Sequence, residues 1–409
     1  MNSLSGRLAG IYETSANPHR MPSMEGVRGL AIVLVFFVHY HSLFSSYLDP
    51  RSLSYRVSLF SGGAGHAGVD LFFVISGYLI YGIVMHKPKG YVRFIRRRIE
   101  RIYPTFITVL VLQLILSVVF PERSRVPTQC LAAVEYVLMN AALLPGILRI
   151  KAIITVAWSL SYELFFYLTI PLLVRFLRMP AWSSWQRVLL FVSVIAIRCS
   201  LISVLPIRML MFLAGILVFE MLRSSWVRSK LNAGSEMVTI GLFIVSLLPV
   251  AILTLRQAEY ALYYGSYNRA ATLRVIILSV TMSLFTIHCI GFKGMLNTVF
   301  SWAPLRWLGN MSYSYYLIHG LTLQGVHFVM IRIVPPHDHS PVSFWCLLPI
   351  SVLATLVTST ALFVAVEKPF SLQRKNVRTV ETNDVPKASA FEPQGLSAGQ
   401  GVVAQAHIN

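Results

Sequence analysis

The sequence predicts an all-α, polytopic integral membrane protein of about ten transmembrane helices with both termini cytoplasmic, and three observations carry that prediction. Hydrophobic residues fill 56% of the 409 positions and charged residues only 12%, whereas a soluble domain carries about a quarter charged residues. Apolar runs recur from residue 27 to residue 366 with no long polar interval between them. The 35 Lys plus Arg outnumber the 16 Asp plus Glu and collect in short segments between the runs. That pattern marks cytoplasmic loops and contact with anionic membrane lipids, and no nucleic-acid partner is expected.

Crossing the hydrocarbon core takes roughly 20 apolar residues. Ten stretches qualify, at approximately 27–45, 67–85, 103–120, 158–178, 187–205, 208–222, 237–255, 272–291, 310–333 and 342–366. The loop "HKPKGYVRFIRRRIER" sets Lys87, Lys89, Arg93, Arg96, Arg97, Arg98 and Arg101 against Glu100, which makes it cytoplasmic. Counting outward from it brings Arg175, Arg178 and Arg187, then Arg223, Arg228 and Lys230, then Lys293 and Arg306, then Lys368, Arg374 and Lys375 to the same side. The stretch 129–147, with Glu135 and Asn140, is then an interfacial or re-entrant piece on the outer side; the outer loop 256–274, with Arg256, Arg269 and Arg274, dissents mildly.

This divides the chain into a cytoplasmic segment 1–22, a transmembrane domain 23–370 and a polar, disordered cytoplasmic tail 371–409, with no appended catalytic domain expected. The first 23 residues lack a secretory signal pattern, so the first apolar run is expected to be retained. Cys130, Cys199, Cys289 and Cys346 are scattered and suggest neither a metal site nor a disulfide framework.

Ionisable residues within apolar runs are costly and mark candidate sites. In "EGVRGLAIVLVFFVHYHS" Arg28 and His39 stand eleven residues apart, which on a helix is about 20° apart around the axis and ~16 Å along it. A cation at the rim and an imidazole at depth describe a channel for a long anionic ligand, with His39 a general base; a hydrogen-bonded structural histidine is the alternative. His41 points to the opposite face. Arg97, Arg98 and Arg101 are helical neighbours whose guanidiniums suit a phosphate group, against a reading as topological charge alone.

In "WSLSYELFFY" Glu163 needs a partner: it either pairs with an arginine such as Arg28 or Arg208, or orients His39 as the acid of a triad orients its imidazole. Asp70, in "GVDLFFVISGYLIYG", is expected at the outer, interfacial end of the second span, with Gly77 a packing residue beside Ser76. In "LGNMSYSYYLIHG" His319 lies at a depth comparable to His39, and Ser312, Tyr313 and Tyr316 line neighbouring turns, positions suited to a substrate or to a polar network between helices. The "PHDHS" stretch, His337 to Ser340, is too sparse for a metal site.

The ordered motifs "EGVRGLAIVLVFFVH", "GHAGVDLFFVISGYLI", "FIRRRIERIYP", "WSLSYELFFYLTIP", "IRMLMFLAG" and "LGNMSYSYYLIH" resemble acyltransferase family 3, over roughly residues 22 to 368. The resemblance implies a ten-helix membrane enzyme of the plasma (inner) membrane that moves an acyl group, usually acetyl, from cytoplasmic acyl-CoA to a sugar hydroxyl. The acceptors it implies are cell-surface polysaccharides, O-antigen, peptidoglycan or lipo-oligosaccharide and other lipid-linked glycans. It implies Arg28 and His39 as the essential pair, Arg97, Arg98 and Arg101 as donor-binding arginines, and Glu163 as the buried acid. Arg28 contacts the donor too, Tyr313, His319, Arg208 and Asp70 are the substrate-side candidates, and no metal is expected. Glu25 departs from the aspartate usual in the family. A transporter or flippase without acyl transfer is the rival class, and a scaffold in which His39 and Glu163 merely pair is a second.

Overall fold

Each apolar run folds as a helix, since a backbone out of water must satisfy its polar groups internally. The computed structural model describes residues 4–13, 21–86, 90–148, 150–200, 206–254, 269–336 and 340–372. Its helices in chain order are α1 (Leu4–Tyr12), α2 (Pro22–Phe44), α3 (Leu53–Gly65), α4 (Ala67–His86), α5 (Tyr91–Val119), α6 (Cys130–Ala141), α7 (Ala157–Phe176), α8 (Ser184–Ser200), α9 (Leu210–Arg223), α10 (Ser225–Lys230), α11 (Ala233–Thr254), α12 (Arg269–Gly291), α13 (Met295–Phe300), α14 (Ala303–Asn310), α15 (Ser312–Ile333) and α16 (Pro341–Leu362). A π-helical stretch, Phe363–Leu372, follows, and no strand occurs among the described residues. Lys87, Lys89, Arg256, His337 to His339 and the tail from 373 onward lie outside the described residues.

By length and composition, six helices among the described residues are long and apolar enough to cross a membrane: Pro22–Tyr47, Leu53–His86, Tyr91–Val119, Ala157–Phe176, Thr272–Gly291 and Pro341–Leu372. The other expected spans are helical as well. Helix α9 has 14 residues, α8 is described as far as Ser200 and α11 runs from Ala233 to Thr254, and α15 is interrupted by serines, histidines and an arginine. The 129–147 stretch folds as α6, whose 12 residues reach only about 18 Å and cannot span.

Side-chain pairs set the helix directions. Arg28 meets Ser312, His39 meets His319 and Phe44 meets His327, so α2 and α15 run parallel. Asp70 meets Arg208, Tyr81 meets Glu220 and His86 meets Arg223, so α4 and α9 are parallel as well. The α4–α9 contact is backbone-close: a Cβ on Gly77 would lie 2.1 Å from the Phe212 carbonyl oxygen. Gly77 therefore has the packing role expected of it.

Asp70, expected at an interfacial helix end, is enclosed by the protein. Ser52 caps α3 by accepting the Tyr55 N–H at 3.1 Å, and α3 extends the second span by 13 residues, which carries Asp70 into the interior at 4% exposure. The small residues of "SGGAG" let α3 lie close against α2.

A buried charged cavity as candidate active site

Arg28 is aimed by a close approach of backbones. A Cβ on Gly309 would sit 1.7 Å from the Glu25 carbonyl oxygen, so only glycine lets α14 lie against the first turn of α2. Arg306 follows from α14 to Glu25 at 3.4 Å. Arg28 then faces the start of α15, where its Nη2 donates to Ser312 Oγ at 2.7 Å.

Around Arg28 lies a cavity of about 200 Å³, lined by Arg28, Ser76, Arg98, Arg101, Ser159, Glu163, Tyr167, Ser312, Tyr313 and Tyr316, with an apolar wall including Phe72, Phe73 and Leu160. The Arg98 guanidinium is held between aromatic faces, 5.2 Å from the Phe94 ring centre and 5.5 Å from that of Tyr167, and its buried Nε has no hydrogen-bond partner. Arg101 Nη1 lies 2.8 Å from Oε1 of the fully buried Glu367. The other Glu367 oxygen accepts from the Ser314 N–H at 2.9 Å and the Ser314 hydroxyl at 2.6 Å, a carboxylate placed at the positive start of α15. Tyr313 donates to the Ile102 carbonyl at 2.8 Å.

Glu163 makes contacts the sequence did not indicate. Its Oε1 accepts from Ser76 at 3.0 Å and from the Tyr167 hydroxyl. Among the described residues it forms no ion pair with Arg28 or Arg208 and no hydrogen bond with His39; it lines the cavity with Arg28, which His39 does not. Arg208 pairs instead with Asp70 at 2.8 Å, donates to the His66 carbonyl at 2.7 Å and lies 5.2 Å from the Trp158 ring centre.

His39 and His319 do come together, with ring centroids 4.9 Å apart. His319 Nδ1 donates to the Tyr315 carbonyl at 3.0 Å; a carbonyl only accepts, so the proton is on Nδ1 and Nε2 keeps its lone pair. That Nε2 is buried without a hydrogen-bond partner. The pair does not line the cavity. Tyr316 stands between, lining the cavity on one side and 6.1 Å from the His319 ring on the other, with its hydroxyl 2.7 Å from Ser159 Oγ.

The structure thus gathers Arg28, Arg98, Arg101, Glu163 and Tyr313 in one cavity and sets His39 with His319 beyond it. Arg97 is exposed and does not line the cavity, and Asp70 and Arg208 form a separate pair. Glu367 and Tyr167 escaped the sequence reading; a lone acid closing the last apolar run, "VAVEKPF", was the available signal for Glu367. Among the described residues no three His, Cys, Asp or Glu side chains converge as metal ligands.

Fold and cavity define a multi-pass membrane protein with a cationic site buried between its helices. A family model described as an acyltransferase domain matches residues 21–364. The chain belongs to that family, acyltransferase family 3. The peptidoglycan O-acetyltransferase OatA of Listeria monocytogenes is 26% identical over 390 residues, covering 87% of this chain and 56% of the relative. The O-acetyltransferase OatA of Staphylococcus aureus is 26% identical over 189 residues, covering 42% of this chain and 27% of the relative. The chain therefore spans little more than half the length of the Listeria relative. No solved structure matches it.

Proposed function

We propose that this protein is a ten-span membrane O-acetyltransferase of the plasma membrane that carries an acetyl group from cytoplasmic acyl-CoA to a hydroxyl of a cell-envelope glycan. The observation that carries the reading is the convergence of Arg28, Arg98 and Arg101 on one cavity below the His39–His319 pair. These three guanidiniums face two carboxylates, Glu163 and Glu367, so the site holds an excess of positive charge that fits an anionic donor, as does the unpartnered Arg98 Nε. The similarity to a peptidoglycan O-acetyltransferase favours a carbohydrate acceptor, peptidoglycan first. The parallel course of α2 with α15 and of α4 with α9 supports the ten-crossing topology with cytoplasmic termini, which puts an odd number of crossings between the members of each pair.

Acyl-CoA supplies phosphate charges at a nucleotide head and a thioester at the end of a neutral arm. Arg28, Arg98 and Arg101 hold the charged part, and Tyr316 marks the passage from cavity to imidazoles. His39 takes the proton of the acceptor hydroxyl as that oxygen bonds the thioester carbon; the carbon–sulfur bond breaks, and the imidazolium returns the proton to the departing thiolate. His319, through Nε2, holds or orients the acceptor hydroxyl. The apolar surroundings keep water from the thioester.

Membranes expressing the wild type, His39→Ala and Arg28→Ala at matched levels test this by acetyl-CoA-dependent transfer, read by mass spectrometry of surface glycans. Hydroxyl-linked acetyl groups in the wild type, lost in both variants, are expected. No donor-dependent product from the wild type across several glycan hosts overturns the reading and favours a transporter.

A further inference from the structure

Next to the charged cavity is a second pocket of about 360 Å³, formed by the end of α4, the start of α5 and the end of α7. Two aromatic rings, Tyr91 and Phe94, and two guanidiniums, Arg175 and Arg178, stand in its lining. Among the described residues neither Arg175 nor Arg178 has an ion-pair partner. Arg178 also holds a left-handed backbone, φ 50°, where asparagine or glycine is the usual occupant.

The two pockets share a wall. Phe94 lines the second pocket and Tyr167 the charged cavity, and the Arg98 guanidinium is stacked between those two rings. We infer that the second pocket takes the adenosine phosphate head of the donor, with Tyr91 and Phe94 as stacking faces for the purine and Arg175 and Arg178 as phosphate contacts. This rests on the acyl-CoA reading above and gives it a direction: the adenosine and its 3′-phosphate sit outside Arg98, the diphosphate stays with Arg98, Arg101 and Arg28, and the neutral arm runs on from there toward the imidazoles. A phosphate alone could come from a phospholipid headgroup. The aromatic pair favours a nucleotide, because stacking is available to any base and to no headgroup, and the volume lies in the range of small-ligand pockets.

The test uses the full chain in phosphatidylcholine nanodiscs, titrated calorimetrically with adenosine 3′,5′-bisphosphate. The variant is Arg175→Gln with Arg178→Asn, which removes both charges while asparagine tolerates the left-handed turn; matched melting profiles show that it is folded. The expected result is saturable binding by the wild type and at least tenfold weaker binding by the variant, with the KM for acetyl-CoA rising by a similar factor. Equal affinity in the two proteins overturns the inference, as does an absence of binding to the wild type. Inorganic phosphate competing as well as the nucleotide overturns the adenosine assignment, and loss of nucleotide binding in discs containing phosphatidylglycerol reassigns the pocket to a headgroup. Because binding is read without turnover, nucleotide binding lost in the variant while no protein transfers acetyl groups would sink the proposed function and leave this site standing.

Discussion

The imidazoles of His39 and His319 meet edge to face at 4.9 Å between centroids, one from each of two parallel helices. His319 has its proton fixed, on Nδ1 by the Tyr315 carbonyl; among the described residues no hydrogen bond pins His39. A base must accept a proton and give it back, and an imidazole free of such a bond is suited to that, whereas the anchored His319 is suited to positioning. His39→Ala is expected to lower acetyl transfer by about 10²–10⁴, the usual contribution of general-base catalysis. His319→Gln is expected to lose less, through a raised acceptor KM. Initial rates at varied acceptor, with membrane insertion checked by protease protection, separate the two. Wild-type turnover by His39→Ala would remove His39 as the base.

Arg28 reaches Ser312 through Nη2 and faces the cavity with Arg98 and Arg101. A charge-assisted hydrogen bond contributes about 1.5–3 kcal/mol, so Arg28→Ala is expected to raise the KM for acetyl-CoA by about 10- to 100-fold. Arg28→Lys keeps the charge but not the planar fork and should fall between. A KM that stays put in both variants would place the donor elsewhere.

Glu163 decides between two accounts of the buried acid. Its hydrogen bonds come from Ser76 and Tyr167, and Arg28 lies within its electrostatic reach, so it offsets cationic charge in the donor cavity. Glu163→Gln keeps a hydrogen-bonding oxygen and removes the negative charge. The expected outcome is a severalfold lower KM for acetyl-CoA with an unshifted pH profile of kcat. A large fall in kcat with a moved pH profile would instead show Glu163 acting on the imidazole.

What the sequence revealed and what it hid have separate physical causes. Helix positions were legible because membrane crossing demands long apolar runs, and α2, α4, α5, α7 and α16 lie where the runs do. The place of Arg28 and His39 on one helix, three turns apart, was legible because helical spacing is fixed. Partners across helices were not. Nothing in the spacing of "WSLSYELFFY" tells that Glu163 meets Ser76, 87 residues earlier, or that Arg101 meets Glu367 near the end of the last span. The burial of Asp70 was hidden because the apolar run that marks the second span begins at residue 67, while in the fold α3, Leu53–Gly65, continues it upstream.

The Asp70–Arg208 pair is the sharpest test of the interior. Both side chains are nearly fully buried, at 5% and 3% exposure, and 2.8 Å apart. Breaking a buried pair costs about 3–5 kcal/mol because one charge is left uncompensated, yet replacing both partners with apolar residues is often neutral. The two single variants are not equivalent here. Arg274 is a further electrostatic neighbour of both Asp70 and Arg208, and its buried Nε and Nη1 lack hydrogen-bond partners. Asp70→Leu strands two cations together, whereas Arg208→Met leaves Asp70 facing Arg274. The expected order of thermal stability in detergent is wild type, then Arg208→Met, then Asp70→Leu, with Asp70→Leu/Arg208→Met above Asp70→Leu. A double variant no more stable than Asp70→Leu would mean that Asp70 holds the helices by its hydrogen bonds rather than by balancing Arg208. Equal melting of the two single variants would remove Arg274 from the cluster.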